Sequence, residues 1–200
     1  MTRFLLVRHA NTDANGQHLA GRSQGVGLNA QGLRQAEALA RRLSAWPITA
    51  IYASPLERAM QTATPIANLR GQTIRSCEDF LELDFGAWTR KRFDELADDD
   101  DFMTFNALRS CAATPAGEFM LQAQARMVMG LDRLRRQHPE ETVVVVSHGD
   151  MIRAAVLHYA GIALDMFQRI EISPASLSVV DVETRWIRVL RVNDTGEEIP

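Results

Sequence analysis

The chain has 200 residues, 46% hydrophobic and 24% charged, a length that suits one domain covering residues 1–200 around one substantial core. Its 22 lysines and arginines against 25 aspartates and glutamates give a net charge of −3, so no basic field favours nucleic acid or an anionic membrane. No apolar stretch could span a bilayer, and no signal-peptide pattern is seen. Cys77 and Cys111 match neither a metal site nor a disulfide framework, so we expect inert core thiols and a cytoplasmic location.

The first predicted strand ends in two basic side chains. Residues 4–7 are four apolar residues in a row, and Arg8 and His9 follow at once. In an open α/β sheet, ligands bind beyond the carboxyl ends of the strands, which would place both side chains at the floor of a pocket. An ordinary loop is the simpler interpretation of such a pair taken alone, so the prediction of a site depends on the rest of the chain.

A loop and a helix follow. The polar, glycine-bearing loop 13–28 could cover the pocket, with Asn15 and Arg22 as its best ligand candidates, although a solvated loop explains it equally well. Asn29 is a suitable N-cap for a helix that runs to about Ala45, since apolar residues recur there at helical spacing. We expect this helix to be scaffold.

The second buried strand, residues 50–53, repeats the arrangement of the first. Ser54 is available as a helix cap and Pro55 suits a first helical position, so we predict a helix from there to about Asn68. Arg58 falls in the first turn of that helix, where a cation opposes the helix dipole unless an anion lies close by. A solvated surface arginine is the alternative.

The middle of the chain departs from this alternation. A weak strand covers residues 73–76, and the segment 78–115 then mixes acids with aromatics, which we interpret as a cap-like excursion over the pocket. Its acid run 98–101 is most simply a solvated face. The remaining predicted elements are a helix over 118–138, a strand over 142–146, a helix over 151–160, two or three edge strands within 168–193 and a loose tail over 194–200.

The strand over 142–146 is the clearest in the sequence, because a continuous β-branched run is expected only where both faces of a sheet are covered. It leads into His148, so a third strand delivers a basic group to the same crevice. One such coincidence is common, whereas three in one sheet favour a site for an anion.

At this point four segments carry a resemblance to a known family. They have the order and spacing of the motifs of the histidine phosphatase (phosphoglycerate mutase-like) superfamily, and the match extends over essentially the whole chain. The four segments are residues 6–12, 54–63, 81–88 and 147–149.

The resemblance implies an α/β fold, a three-layer α/β/α sandwich with a mostly parallel central sheet, and a phosphohistidine mechanism without a metal or other cofactor. It implies that His9 is the nucleophile and that Glu82 is the proton donor. The groups that would hold the phosphoryl oxygens are Arg8, Arg58 and His148, and the remaining substrate-binding candidates are Asn15, Arg22 and Gly149.

Elementary chemistry agrees with those roles. A phosphoryl group in transfer carries negative charge, so catalysis depends on positioning and on cations, and a partly enclosed carboxyl group such as Glu82 could protonate the leaving oxygen. Metal binding is the competing use of two histidines, but two neighbouring arginines would repel a divalent ion. His18, His138 and His158 match no motif, and we expect them to be surface or packed residues.

Three functions remain open. The first and preferred is a phosphomonoesterase of the phosphatase branch that acts on a small phosphorylated metabolite. The second is a phosphoglycerate-type phosphomutase, which must protect its phosphohistidine from water and for which the moderate, acid-bearing cap is less suited. The third is a non-catalytic phosphate-binding protein, which predicts the loss of a core residue, and none is lost. The sequence leaves open the substrate, the conformation of the cap and the oligomeric state.

Overall fold

The computed structural model describes residues 1–196, and within them six strands form one sheet. The strands are β1 (Thr2–Arg8), β2 (Ile48–Ala53), β3 (Ile74–Ser76), β4 (Thr142–Ser147), β5 (Leu177–Val182) and β6 (Ile187–Asp194). Their order across the sheet is β3-β2-β4-β1-β5-β6. The first four strands in that order pair in parallel, while β5 and β6 are antiparallel additions at one edge. The predicted mostly parallel sheet is confirmed.

Helices cover both faces of this sheet. They are α1 (Ala30–Leu43), α2 (Glu57–Arg70), α3 (Phe93–Leu96), α4 (Asp100–Ala107), α5 (Met120–Gln137) and α6 (Gly149–Ala160). Alternate residues of β1 belong to different cores: Leu5 and Val7 pack with α1 and α2, and Phe4 and Leu6 pack with α5 and α6. The three-layer α/β/α sandwich is therefore confirmed. None of the helices in residues 1–196 is both long and apolar enough to cross a membrane.

The segment 78–115, which we call the cap, contains two short 3₁₀ turns together with α3 and α4. Trp88 holds it together, since its ring lies 5.3 Å from that of Phe102 and 5.5 Å from that of Phe105. Asp99 accepts a hydrogen bond from the backbone N–H of Phe102 and caps α4, so one member of the predicted solvated acid run stabilises a helix.

Helix starts agree with the sequence at α1 and differ at α2. Asn29 caps α1 as predicted, accepting from the N–H of Gly32 at 2.8 Å. The prediction that α2 starts at Ser54 and Pro55 is wrong, because α2 begins at Glu57. The Ser54 hydroxyl is hydrogen-bonded to His148 instead of capping the helix.

Smaller corrections concern the cysteines and the C-terminal region. Both cysteines are free thiols, but Cys77 is only half-buried and Cys111 is exposed in a turn after α4, so neither is a core residue. Residues 164–169 form a 3₁₀ helix, and the predicted edge strands resolve into the two strands β5 and β6. Asp194 still belongs to β6, and residues 197–200 of the predicted tail lie outside the described residues.

Candidate active site

One cavity of about 260 Å³ lies at the carboxyl ends of β1, β2 and β4, beneath the cap. The strand ends converge there because the parallel pairing of these three strands puts their last residues side by side. Seven of the eight predicted site residues line this cavity or lie against it. They are Arg8, His9, Asn15, Arg58, Glu82, His148 and Gly149.

His9 presents a free ring nitrogen. It follows β1 directly, and its Nδ1 lies 2.8 Å from the carbonyl oxygen of Ala10. Because a carbonyl can only accept, Nδ1 carries the ring proton and Nε2 keeps its lone pair. Burial, reinforced by the charges of Arg58 and Arg8, lowers the pKa of His9 well below its ordinary value. His9 is therefore neutral near pH 7, which is the form in which imidazole is a nucleophile.

Arg8, the last residue of β1, and Arg58, in the first turn of α2, have buried donors that are unused. Arg8 Nη1 donates to the carbonyl of Ile172, and Arg58 Nη2 donates to that of Gly21 at 2.7 Å. Within residues 1–196, Arg8 Nε and both Arg58 Nε and Nη1 have no hydrogen-bond partner. Burial lowers the pKa of both guanidinium groups. Buried charged donors without partners are costly, so this arrangement is suited to binding an anion.

His148 adds another unused donor. Its ring lies 5.3 Å from that of His9, and its Nε2 is 2.8 Å from Ser54 Oγ. We assign the Ser54 hydroxyl proton to the bond with His148 Nε2 and the ring proton to Nδ1, because Nδ1 then directs a donor toward Oε2 of Glu82, 3.9 Å away. Nδ1 is buried and has no hydrogen-bond partner within residues 1–196. Burial, then the charge of Arg58, lowers the pKa of His148, so the ring is neutral.

Glu82 is the carboxyl group of this site. Its Oε1 accepts from the N–H of Leu83 at 2.9 Å, and its Oε2 lies 3.9 Å from His148 Nδ1. No arginine in residues 1–196 forms an ion pair with this carboxyl group, which argues against a role in holding the cap. Burial, reinforced by the charge of Asp150 and opposed by that of Arg58, raises the pKa of Glu82 to about 7. Such a group can both donate and accept a proton at neutral pH.

Arg22 does not line the cavity, which corrects its predicted place among the substrate-binding residues. Its Nε donates to the carbonyl of Glu82 at 2.8 Å, and its Nη2 pairs with Glu118 at 2.8 Å. Arg126 pairs with the same carboxylate at 2.9 Å and reaches the same stretch of backbone. The two cations and the shared anion clamp the backbone of Glu82, so Arg22 supports the site from behind.

Asn15 and Gly149 lie at the cavity wall. Asn15 Oδ1 accepts from both the N–H and the hydroxyl of Thr12, at 2.7 Å and 2.9 Å, and the amide NH₂ is left for a ligand oxygen. Gly149 packs against Arg8, since a Cβ added there would lie 3.2 Å from Arg8 Nε. A larger residue would press directly on the guanidinium group.

Sequence reasoning missed part of the lining. His18, predicted to be a surface or packed residue, lines the cavity, and so do residues of the cap, of α6 and of the 3₁₀ helix 164–169. These further lining residues include Phe85, Phe93, Phe102, Asn106, Arg109, Asp150, Arg153 and Gln168. Asp150 and Arg153 could have been found, because they lie two and five residues after His148 at the start of a predicted helix. The cap residues carry no sequence signal.

Comparison with known proteins identifies the family. Residues 4–195 match the family model for the histidine phosphatase superfamily (branch 1). Phosphoserine phosphatase 1 of Hydrogenobacter thermophilus is 32% identical over 98% of this chain and 93% of its own. Probable phosphoglycerate mutase GpmB of Enterobacter sp. is 28% identical over 94% of this chain and 88% of its own.

A solved structure shares the whole fold. A phosphoserine phosphatase variant of Entamoeba histolytica, in complex with phosphoserine, superposes with a TM-score of 0.88 at 25% identity, covering 98% of each chain. The class defined by the fold and the comparisons is that of a phosphatase or phosphomutase. The chain belongs to the histidine phosphatase superfamily, branch 1, and the resemblance of its motifs is confirmed.

Proposed function

We propose that this protein is a phosphomonoesterase that hydrolyses a small phosphorylated metabolite through a phosphohistidine on His9, without a metal. One observation supports this most strongly: the free Nε2 of neutral His9 shares a cavity with unpaired donors of Arg8, Arg58 and His148. These donors would hold the phosphoryl oxygens and stabilise the charge that develops on them during transfer.

In the first half-reaction, His9 Nε2 attacks phosphorus, a P–N bond forms and the P–O bond to the alcohol breaks. Glu82 gives its proton to the departing oxygen, so the alcohol leaves neutral. The pKa of Glu82 near 7 suits this role, because the carboxyl group must hold its proton on substrate binding and release it during the reaction.

In the second half-reaction, a water molecule takes the place of the alcohol. Glu82, now ionised, accepts a proton from the water as its oxygen attacks phosphorus. The P–N bond breaks, the lone pair returns to His9 Nε2 and inorganic phosphate leaves. The two half-reactions return both residues to their starting protonation states.

The substrate is small because the cavity is. A volume of about 260 Å³ is below the range for drug-sized ligands and suits a phosphate ester of a few carbon atoms. The related phosphatase structure contains phosphoserine, which makes phosphorylated amino and hydroxy acids the first esters to test. The free thiols of Cys77 and Cys111 support a cytoplasmic compartment for the reaction.

Two alternative functions compete with this proposal. The 28% identity to a probable phosphoglycerate mutase favours a phosphomutase, which would pass the phosphoryl group from His9 to a bound acceptor in place of water. A non-catalytic phosphate-binding protein would need the arginines but would not need a carboxyl group close to His148. Because Glu82 lies there, this alternative is less favoured than an enzyme.

The experiment that tests the proposal traps the phosphoenzyme. Rapid acid-free quenching with ³²P-labelled 3-phosphoglycerate should give an adduct on the wild-type chain that is stable to base and labile to acid. His9→Ala should give no adduct and should lower kcat by about 10⁴-fold or more, because the nucleophile is lost. The exposed histidine His158, changed to alanine, is the matched control and should behave as wild type.

An equal yield of adduct on His9→Ala would rule out His9 as the nucleophile. Adduct formation without phosphate release, accompanied by transfer to unlabelled phosphoglycerate, would favour the mutase over the hydrolase. Circular dichroism of His9→Ala shows whether the fold is kept.

A further inference from the structure

Two arginines lie on the cap side of the cavity, and the proposed phosphoryl chemistry uses neither. Arg109 comes from the cap and Arg153 from α6, and both guanidinium groups lie over the ring of Phe167, with Cζ-to-centroid distances of 4.2 Å and 4.7 Å. Both residues line the cavity. We call them the cap-side arginines.

Both terminal nitrogens of Arg109 are engaged in holding the cap, and only its Nε has no hydrogen-bond partner within residues 1–196. Its Nη1 pairs with Asp150 at 3.0 Å, and its Nη2 donates to Asn106 Oδ1 at 2.7 Å. Its guanidinium group is also stacked 4.1 Å from the ring centroid of Phe105. These contacts join the cap to α6, and Arg109 therefore has a structural role of its own.

Arg153 is held less tightly, by two long ion pairs. Its side chain is only 12% exposed, yet it makes no hydrogen bond within residues 1–196, and its Nε is buried without a partner. The nearest carboxylate oxygens belong to Asp150 at 3.8 Å and to Glu171 at 3.9 Å, both beyond hydrogen-bond distance. A largely buried guanidinium group that makes only long ion pairs is costly, and a bound anion within hydrogen-bond distance would stabilise it.

The surrounding charges decide which anion suits Arg153. Asp150 and Glu171 flank it, and they would repel a phosphate dianion more strongly than a group with one negative charge. A carboxylate carries one charge, and its two oxygens match the planar fork of a guanidinium group. The guanidinium group also lies over the ring of Phe167, with Cζ 4.7 Å from the ring centroid, and this contact limits its movement.

We propose that Arg153 binds a carboxylate of the substrate and makes the enzyme select phosphate esters of hydroxy or amino acids over esters that lack the carboxyl group. The proposal rests on the proposed function, because it assigns the phosphoryl group to Arg8, Arg58 and the histidines. The remote carboxylate is then the second anchor. Together the two anchors would fix the ester oxygen beside Glu82.

The test uses a matched pair of substrates, 3-phosphoglycerate and 2-hydroxyethyl phosphate, which differ only in the carboxylate. Wild type should have a kcat/KM at least about 10-fold higher for 3-phosphoglycerate. Arg153→Gln should lower that value by about 10- to 100-fold, mainly through KM, and should change the value for 2-hydroxyethyl phosphate by less than about 2-fold. Arg41→Gln, an exposed arginine of α1, is the control and should keep the wild-type ratio.

Binding provides a readout that does not depend on turnover. In His9→Ala, calorimetry should show tighter binding of 3-phosphoglycerate than of 2-hydroxyethyl phosphate, and adding Arg153→Gln should remove the difference. A wild type without preference between the two esters would overturn the proposal, whether or not Arg153→Gln folds. A preference that survives in Arg153→Gln would overturn it as well.

The proposed function fails in a different way. If 4-nitrophenyl phosphate is hydrolysed through His9 and the matched pair is treated alike, only the assignment of Arg153 is wrong. If no ester is hydrolysed, the phosphatase proposal fails, and the calorimetric comparison still decides whether Arg153 binds a carboxylate.

Discussion

The cavity contains two pairs of arginines, and the pairs are built in different ways. Arg8 is the last residue of the central strand β1 and Arg58 lies in the first turn of α2, so regular elements of the fold place their unused donors. Arg109 and Arg153 come together only where the cap meets α6. Arg109 holds the cap to α6 through its ion pair with Asp150. The difference suggests a division of labour: the sheet provides phosphoryl chemistry and the cap side selects the alcohol.

We call the part of the cavity around His9 the phosphoryl end. Glu82→Gln should slow phosphoryl transfer there and leave the selection of the alcohol by the cap side unchanged. We expect kcat for 3-phosphoglycerate and 2-hydroxyethyl phosphate to fall by the same factor, about 10²- to 10⁴-fold, because both alkoxides need a proton on departure. An aryl phosphate should lose far less in the formation of the phosphoenzyme, since its leaving oxygen scarcely needs protonation. Single-turnover kinetics on the three esters measure this.

The pH profile gives an independent check on Glu82. The pKa of its carboxyl group is raised to about 7, so the protonated acid is lost as the pH rises through that value. Wild-type rates for alkyl phosphates should therefore fall on the basic side, and Glu82→Gln should lack this limb. Equal losses for alkyl and aryl esters with an unchanged profile would show that Glu82 is scaffold, and Asp84 would then be the next carboxyl group to test.

The difference between the strand ends and the cap also explains which site residues could be predicted from the sequence. The positions of Arg8, His9 and His148 follow from local patterns, because an apolar run fixes a strand and the next residues must lie at its carboxyl end. Arg22 was misplaced because its role depends on Glu118, 96 residues away, and nothing local indicates that pairing. The cap residues were missed for the same reason, since tertiary contacts of the cap bring Arg109 to α6.

Ser54→Ala should have a smaller effect on the phosphoryl chemistry than Glu82→Gln. Loss of the hydroxyl leaves His148 Nε2 buried without its partner, and the ring proton is no longer held on Nδ1. We expect kcat/KM to fall by about 5- to 30-fold for both members of the substrate pair, because the proposed hydrogen bond from His148 Nδ1 to the charged phosphoryl group is weakened. The preference for the carboxylate should not change.

The control for Ser54 is Ser176→Ala. Ser176 is also buried, but its hydroxyl has no hydrogen-bond partner within residues 1–196, so its removal should leave activity unchanged. The ¹⁵N chemical shifts of the His148 ring separate positioning from simple loss of packing. Wild type should show a protonated Nδ1, and Ser54→Ala should shift the ring toward the Nε2-protonated form. An unchanged tautomer in Ser54→Ala would mean that Ser54 does not position His148.

Metal removal should have no effect at either end of the cavity. At the phosphoryl end, Arg8 and Arg58 already supply the positive charge that a metal would bring, and both would repel a divalent ion placed between them. At the cap side, Asp150 is paired with Arg109 and is not free to act as a ligand. Dialysis against EDTA should therefore leave kcat/KM unchanged for both esters, while vanadate, which resembles the transferring phosphoryl group, should inhibit hydrolysis of both alike. Activity that disappears in EDTA and returns with Mg²⁺ or Zn²⁺ would contradict the mechanism at its first step, because the arginines and histidines alone would then be insufficient to stabilise the transferring group.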